Sequence, residues 1–556
     1  MKNSSMHVAY FSMEFAFDDK LQNFAGGLGV LATDTMYSFA DLEIPVVGVS
    51  LIYHQDDDQE KALMPEAFMK KREETIEIEI ENRKIKIIIW QMDVTSKNGH
   101  TVPVFFLSSY TPENTRWDRD LTKHLYASDK YTRLGQEIIL GIGGYRALKK
   151  LGYNDIKHYH MNEGHTAFLG LERLRTNGYN EEVVRAKSSF TTHTPVSAGH
   201  DYWGYPLIYQ TLGNMVPQNI KNLATPDNLG MTQLAMNLSH KINSVSKRHN
   251  EVCKEMFPNH EIENITNGIY HPRWVGTAMK ELFNTYLPSW EQQPEIFQTA
   301  PVVIPTEALD SARQIEKSAL VEWINQMPHN FAVENPSKED LFSPDTLTIG
   351  FARRFVPYKR PGLIFQNIDR LREIGYKKIQ LVFAGKCHKN DMFCNKLQDT
   401  IRYYGRELRG QIKVIIIPDY NLEIAKHLIT GVDIWLNNPF PPREASGTSG
   451  MKAALNGVLN LSILDGWWIE GLERAPLAGW GFGSNLNKKN VTNRDKFDEE
   501  ELLNKLKEAI ICYYDEKDMW NERMKHAISL LSYFNTHRLV HEYNNKIWNT
   551  DKTNLI

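Results

Sequence analysis

The chain has 556 residues, 42% of them hydrophobic and 24% charged, which excludes a disordered tail or a collagen-like repeat and leaves room for more than one buried core. At about 150 residues per domain, two to four domains are expected. With 64 basic against 68 acidic residues the formal charge is −4, so no global field draws nucleic acid or anionic lipid, and a bound anion needs a local cluster.

Short β-branched runs alternate with longer amphipathic stretches, the pattern of βαβ units and largely parallel sheets. The candidate strands of the first half are 7–11, 46–53, 102–107, 156–160, 188–192 and 261–265. Ile76, Ile78 and Ile80, then Ile85, Ile87 and Ile89, alternate with polar residues around Glu81, Asn82 and Arg83. That alternation predicts an antiparallel hairpin with one wet face, decorating the sheet. A proline-rich segment from about Pro288 to Pro344, with one helix at 307–325, breaks the rhythm. Strands then recur at 346–352, 378–384, 412–417, 433–437 and 458–463, before a helical, aromatic-rich tail at 499–548. The expected organisation is a Rossmann-like domain over 1–340, a second over 341–530, and a terminal helix over 531–556 that returns to the first.

Cys253, Cys387, Cys394 and Cys512 are scattered and form no C-x-x-C pair, which argues against a disulfide framework and a cysteine zinc site. The amino terminus MKNSSMHVAYFSMEF has no apolar core with a cleavage site, and no stretch approaches the roughly 18 apolar residues that cross a bilayer. These features point to a cytoplasmic protein.

In parallel sheets chemistry collects in loops after strands. The stretch PPREASGTSGMKAALN, 441–456, follows a strand and runs into a helix. Its small residues put backbone N–H groups and hydroxyls at the helix start, where a phosphate is stabilised, with Lys452 one turn inside. In TLTIGFARRFVPYKR, 346–360, a strand ends in Arg353 and Arg354, followed by Lys359 and Arg360, four cations suited to phosphate oxygens. Gly26, Gly27 and Gly29 in NFAGGLGVLA lead into a helix and allow close backbone approach to a ligand. His158, His160 and His165 in HYHMNEGH and His193 in TTHTP have no familiar zinc spacing, and no metal is expected. Alternate residues of a strand share a face, so His158 and His160 read as buried structural residues.

Taken in order, these stretches resemble the α-glucan (glycogen, starch, maltodextrin) phosphorylase family, in its compact bacterial and archaeal branch. EASGTSGMKAALNG is similar to the family's pyridoxal phosphate signature, FARRFVPYKR to its phosphate-binding segment, and ITNGIYHPRW to a further family segment. AGGLGVLA, MNEGHTAF and TTHTP resemble its glycine loop and two sugar-facing loops. The resemblance implies the GT-B arrangement, two Rossmann-like domains with the active site in the cleft between them. It implies reversible phosphorolysis of α-1,4-glucan at the non-reducing end, releasing α-glucose 1-phosphate with retention, the phosphate of pyridoxal 5′-phosphate acting as proton relay.

Carried over by residue, Lys452 would form the Schiff base with the cofactor. Arg353, Thr448, Ser449 and Gly450 would hold the cofactor phosphate, with Tyr358 and Trp274 lining its site. Arg354 and Lys359 would grip the substrate phosphate, opposite the backbone of Gly26 and Gly27. Glu444, Ser446, Gly447, Asn267 and His193 would bind hydroxyls of the reacting glucose, and Asn162, Glu163 and His165 would lie near the sugar or its acceptor side. The implied partners are glucan or maltodextrin, inorganic phosphate and glucose 1-phosphate, without nucleic acid or membrane; a homodimer stays open. The shorter chain implies no effector control of the kind the long enzymes carry. Ala25 and Phe355, Val356 and Pro357 depart from the long forms. A nucleotide-sugar glycosyltransferase would instead need a ribose-binding glutamate eight residues after Glu444, where this chain has Lys452. A catalytically dead glucan-binding protein would keep these cations without a ligand to pair them.

Overall fold

The structure is a computed structural model, and it describes residues 7–21, 23–54, 65–385, 392–483 and 493–548. The first six residues, Cys387, and 549–556 of the expected terminal helix lie outside the described residues. The chain divides into two compact units, one of 1–266 with 536–556 and one of 267–535. Both are mixed α/β, each built on a largely parallel sheet.

The first unit carries β1 (Val8–Ser12), β2 (Val46–Leu51), β3 (Lys70–Ile80), β4 (Arg83–Thr95), β5 (Thr101–Ser108), β6 (His158–Asn162), β7 (Ser188–Thr191), β8 (Tyr202–Gly204), β9 (Asn228–Gly230), β10 (Lys241–Ser244) and β11 (Glu263–Asn264). Nine form one sheet in the order β11-β10-β7-β6-β1-β2-β5-β4-β3, while β8 and β9 pair separately. The run from β11 to β5 is parallel. Residues of β1, β2 and β6 are buried throughout, because helices cover both faces of such strands. The expected hairpin is β3–β4, paired Ile76 to Ile87 and Ile78 to Ile85. Its turn places Glu81 and Asn82 at φ of 51° and 58°, the left-handed pair that suits the twist of a two-residue hairpin. The wet face runs along β3, whereas Ile88 and Trp90 of β4 are buried in a cluster with Met36 and Phe39 of the helix Gly27–Asp41.

The second unit carries β12 (Leu347–Ala352), β13 (Ile379–Ala384), β14 (Lys413–Ile417), β15 (Ile434–Asn437), β16 (Leu459–Ile463) and β17 (Gly479–Phe482). All are parallel, in the order β14-β13-β12-β15-β16-β17. In order of appearance this is 3-2-1-4-5-6, the doubly wound topology whose ligands bind where the order reverses. The reversal lies between β12 and β15.

The chain divides at 266/267, not at the expected 340/341. The helix Thr306–Asn325 belongs to the second unit because its buried face is polar as well as apolar. Arg313 donates to the carbonyls of Thr430, Val432 and Asn456, and Lys317 meets Asp433 at 2.5 Å, at the start of β15. In the same way 536–548 pack into the first unit. Ser38 and Thr536 hydroxyls lie 2.6 Å apart, and the Trp548 indole donates to His160 Nδ1 at 3.2 Å. Among the described residues no helix is long and apolar enough to cross a membrane.

Candidate active site

Both sheets place their notable residues at the strand ends flanking the reversal of strand order. In the second unit Arg353 follows β12, and the loop after β15 delivers Glu444 and then the helix Thr448–Leu455. Arg353 Nη1 and Lys359 Nζ reach the same oxygen, Oε2 of Glu444, at 2.6 and 2.5 Å. Burial pushes the Glu444 carboxyl up, but the two cations outweigh it and hold it down at about 2. The Glu444 N–H donates to Asp465 Oδ2 at 3.0 Å, and Asp465 Oδ1 accepts from Gly466 at 2.9 Å, so the turn after β16 fixes the Glu444 backbone.

Lys452 stands in the second turn of its helix, 7% exposed, with Nζ 4.0 Å from the centroid of the Trp274 ring. Trp274 is held in turn by Asn456, whose amide donates to the Trp274 carbonyl at 2.9 Å and accepts from Gly276 N–H at 2.7 Å. The helix opens at Gly447, whose φ of 90° a side chain would resist, and no side chain caps it. Ser449 Oγ accepts from the Trp435 indole at 3.2 Å. Gly450 has no space for a Cβ, which would fall 2.4 Å from Asn460 Oδ1. Ser446 Oγ is buried without a hydrogen-bond partner, while its carbonyl accepts from Trp467 N–H at 2.9 Å. Lys359 also lies over the Tyr358 ring at 4.7 Å. Asn267 is buried in this unit.

Two of the four cations read from the sequence do not join this group. Arg354 is exposed. Arg360, expected to add to the anion site, is consumed structurally: it pairs with Asp495 and Asp498 at 2.8 Å each and donates to the carbonyls of Asn438 and Pro439.

In the first unit the order reverses between β1 and β6, and the sugar-facing candidates follow these strands and β7. Ser12 O–H donates to the Glu14 carbonyl, so its oxygen accepts from the Asn162 amide at 3.2 Å. That orients Asn162 Oδ1 toward His193 Nε2, 2.7 Å away. Glu163, at φ 76°, is a strained non-glycine position held by three donors: Gly164 N–H at 2.9 Å, His193 N–H at 2.7 Å and the Thr194 hydroxyl at 2.9 Å. Burial pushes His165 and His193 each down to about 3, so both imidazoles are neutral at physiological pH. His158 and His160 share the Ser189 hydroxyl at 3.0 and 2.9 Å, as buried structural residues do. Gly26 and Gly27 open the helix Gly27–Asp41, and a Cβ at either meets nothing within 4 Å.

A cavity of about 220 Å³ in this unit is lined in part by residues that no sequence motif marks. Tyr126, Arg133, His200 and Asp201 line it with Glu163 and His165. Tyr126, Arg133 and the His200–Asp201 pair come from separate segments with no motif between them; only the fold brings them together.

Residues 209–510 match the family model described as carbohydrate phosphorylase. The maltodextrin phosphorylase of Thermococcus litoralis is 33% identical over 99% of this chain and 71% of its own length. The glycogen phosphorylase of Aquifex aeolicus is 32% identical over 97% of this chain and 86% of its own. An uncharacterized protein of Methanocaldococcus jannaschii is 30% identical over 97% of this chain and 99% of its own.

Proposed function

The chain belongs to the carbohydrate phosphorylase family, and from that premise we propose that it catalyses reversible phosphorolysis of α-1,4-glucan at the non-reducing end, giving α-glucose 1-phosphate with retention. The two units would be the Rossmann-like halves of a GT-B enzyme. The observation that carries the reading is the convergence of Arg353 and Lys359 on one carboxylate oxygen. Two cations held beside one carboxylate form an anion site in which two neighbouring phosphates could each take one cation.

The residues fit pyridoxal 5′-phosphate. Lys452 offers a buried amine beside an aromatic face, and its helix opens without a side-chain cap. Helix starts of this kind favour a phosphate. Lys452 would hold the group covalently, with Arg353, Thr448, Ser449 and Gly450 around its phosphate and Tyr358 and Trp274 along its site. When bound, the cofactor supplies a phosphate able to exchange a proton with the substrate phosphate.

The chain's own residues then have distinct tasks. Arg354 and Lys359 would bind the substrate phosphate, and in the first unit Gly26 and Gly27 remain substrate-binding candidates, Gly27 through its backbone N–H. A phosphate that draws Lys359 away frees Glu444 to accept from a hydroxyl of the reacting glucose, near Ser446, Gly447 and Asn267. His193, neutral and donating from Nε2 to Asn162, keeps Nδ1 as an acceptor for a sugar hydroxyl. Asn162, Glu163 and His165 serve the sugar or its acceptor side.

The test offers the purified protein maltodextrin with inorganic phosphate, and separately maltodextrin with UDP- or ADP-glucose. Glucose 1-phosphate from the first and no chain growth in the second is the expected result. Chain growth from a nucleotide sugar without phosphorolysis would mark a nucleotide-sugar glycosyltransferase.

A further inference from the structure

Glu14 lies two residues beyond β1, at the reversal of strand order in the first unit, and is 2% exposed. A carboxylate that deeply buried needs donors. Its Oε1 accepts from the Tyr126 hydroxyl at 2.6 Å, and its Oε2 accepts from Ala25 N–H at 2.7 Å, with Gly26 N–H also donating to the carboxylate. Tyr126 is steadied by Arg133, whose guanidinium lies 4.7 Å from the ring centroid. The loop thus has two unlike sides. On one, a Cβ at Gly29 would lie 2.8 Å from Phe24 Cβ and 3.0 Å from Glu14 Oε2. On the other, Gly26 and Gly27 face open space.

We propose that Glu14 is a positioning residue that clamps the glycine loop through Ala25 and Gly26, and so fixes the adjoining Gly27 backbone that receives the substrate phosphate. The proposal rests on the phosphorolysis reading for the identity of that anion, whereas the clamp itself is read from the contacts of Glu14. Glycines carry the largest backbone entropy, so an untethered Ala25-Gly26-Gly27 segment would lose its fixed direction. Glu14 supplies that tether from the crowded Gly29 side of the loop. It touches no reacting atom, and its effect should fall on phosphate binding, leaving glucan binding alone.

The test compares Glu14→Ala, Glu14→Gln and Tyr126→Phe by amide hydrogen exchange of the loop and by steady-state kinetics. Glu14→Ala should speed exchange at Ala25 and Gly26 at least about tenfold and raise KM for inorganic phosphate about tenfold or more, with KM for maltodextrin within about twofold. Glu14→Gln keeps one carbonyl for the loop and can donate to the Tyr126 oxygen, so both readouts should return to within about threefold of wild type. Tyr126→Phe keeps the ring and loses one tether, and should raise KM for phosphate about threefold. Wild-type loop exchange and phosphate KM in Glu14→Ala would overturn the proposal, as would an equal rise in both KM values. If Glu14→Ala does not fold, unchanged loop exchange in Tyr126→Phe overturns it. If the wild-type protein performs no phosphorolysis, the activity reading falls, and hydrogen exchange alone decides the clamp.

Discussion

Lys359 Nζ sits 2.5 Å from Glu444 Oε2, and Arg353 Nη1 meets the same oxygen at 2.6 Å. The protein thereby neutralises these two cations with its own carboxylate. Removing one partner of such a buried group leaves charge without compensation, which costs about 3–5 kcal/mol.

Glu444→Gln should therefore be destabilised in phosphate-free buffer and recover part of the loss when phosphate is added. The group's pKa is depressed from the unfolded value to about 2. Its contribution is present above about pH 4.5 and lost as pH falls toward 2, and amounts to about 3 kcal/mol at neutrality. Thermal melts of wild type and variant, with and without phosphate, check this. Equal phosphate shifts in both would contradict it.

Arg354 is exposed and joins no ion pair among the described residues. Arg354→Ala should leave the melting temperature within about 1 °C, because exposed substitutions away from structural contacts change stability little. Losing one cation from a phosphate grip costs about 2–5 kcal/mol, so phosphorolysis should fall by about two to three orders of magnitude. Full activity in the variant would show that Lys359 grips the substrate phosphate without Arg354.

Arg360 bridges Asp495 and Asp498 and two carbonyls directly after Lys359. A lysine has no planar fork to make four such bonds. Arg360→Lys should lose about 2–3 kcal/mol of stability and raise KM for phosphate, because Lys359 loses its anchor. A folded variant with unchanged stability would contradict that role.

Burial lowers His158 and His165 to about 3 and His249 to about 4. A base with a folded pKa below its unfolded value of about 6.5 stabilises fully above that value and less as pH falls. Each should withdraw up to about 2 kcal/mol at pH 5. All three lie in the first unit, so hydrogen exchange there should quicken between pH 7 and pH 5 beyond its intrinsic pH dependence. Unchanged protection across that range would contradict the assignment.

The sequence made β12 and β13 legible because strands buried on both faces are apolar runs. It hid β17, whose GWGF spends two positions on glycine; a Cβ at Gly479 would strike the Asn460 carbonyl at 2.3 Å. The unit boundary was misplaced because prolines mark irregular chain and cannot show that Arg313 and Lys317 plug into the second sheet. At the site, the loops after β12 and β15 could be read from their small and basic residues. Which arginine turns inward could not, since Arg353 and Arg354 are chemically equal and only the end of β12 separates them. Glu14 was invisible for a similar reason: a lone carboxylate gains meaning only once Ala25, Gly26 and Tyr126 surround it.

The most direct measurement is phosphorus NMR of the purified protein incubated with maltodextrin and inorganic phosphate. The account predicts a growing resonance of α-glucose 1-phosphate, absent without either reactant and abolished in Lys452→Ala. Release of free sugar with no sugar phosphate, or appearance of the β anomer, would contradict it.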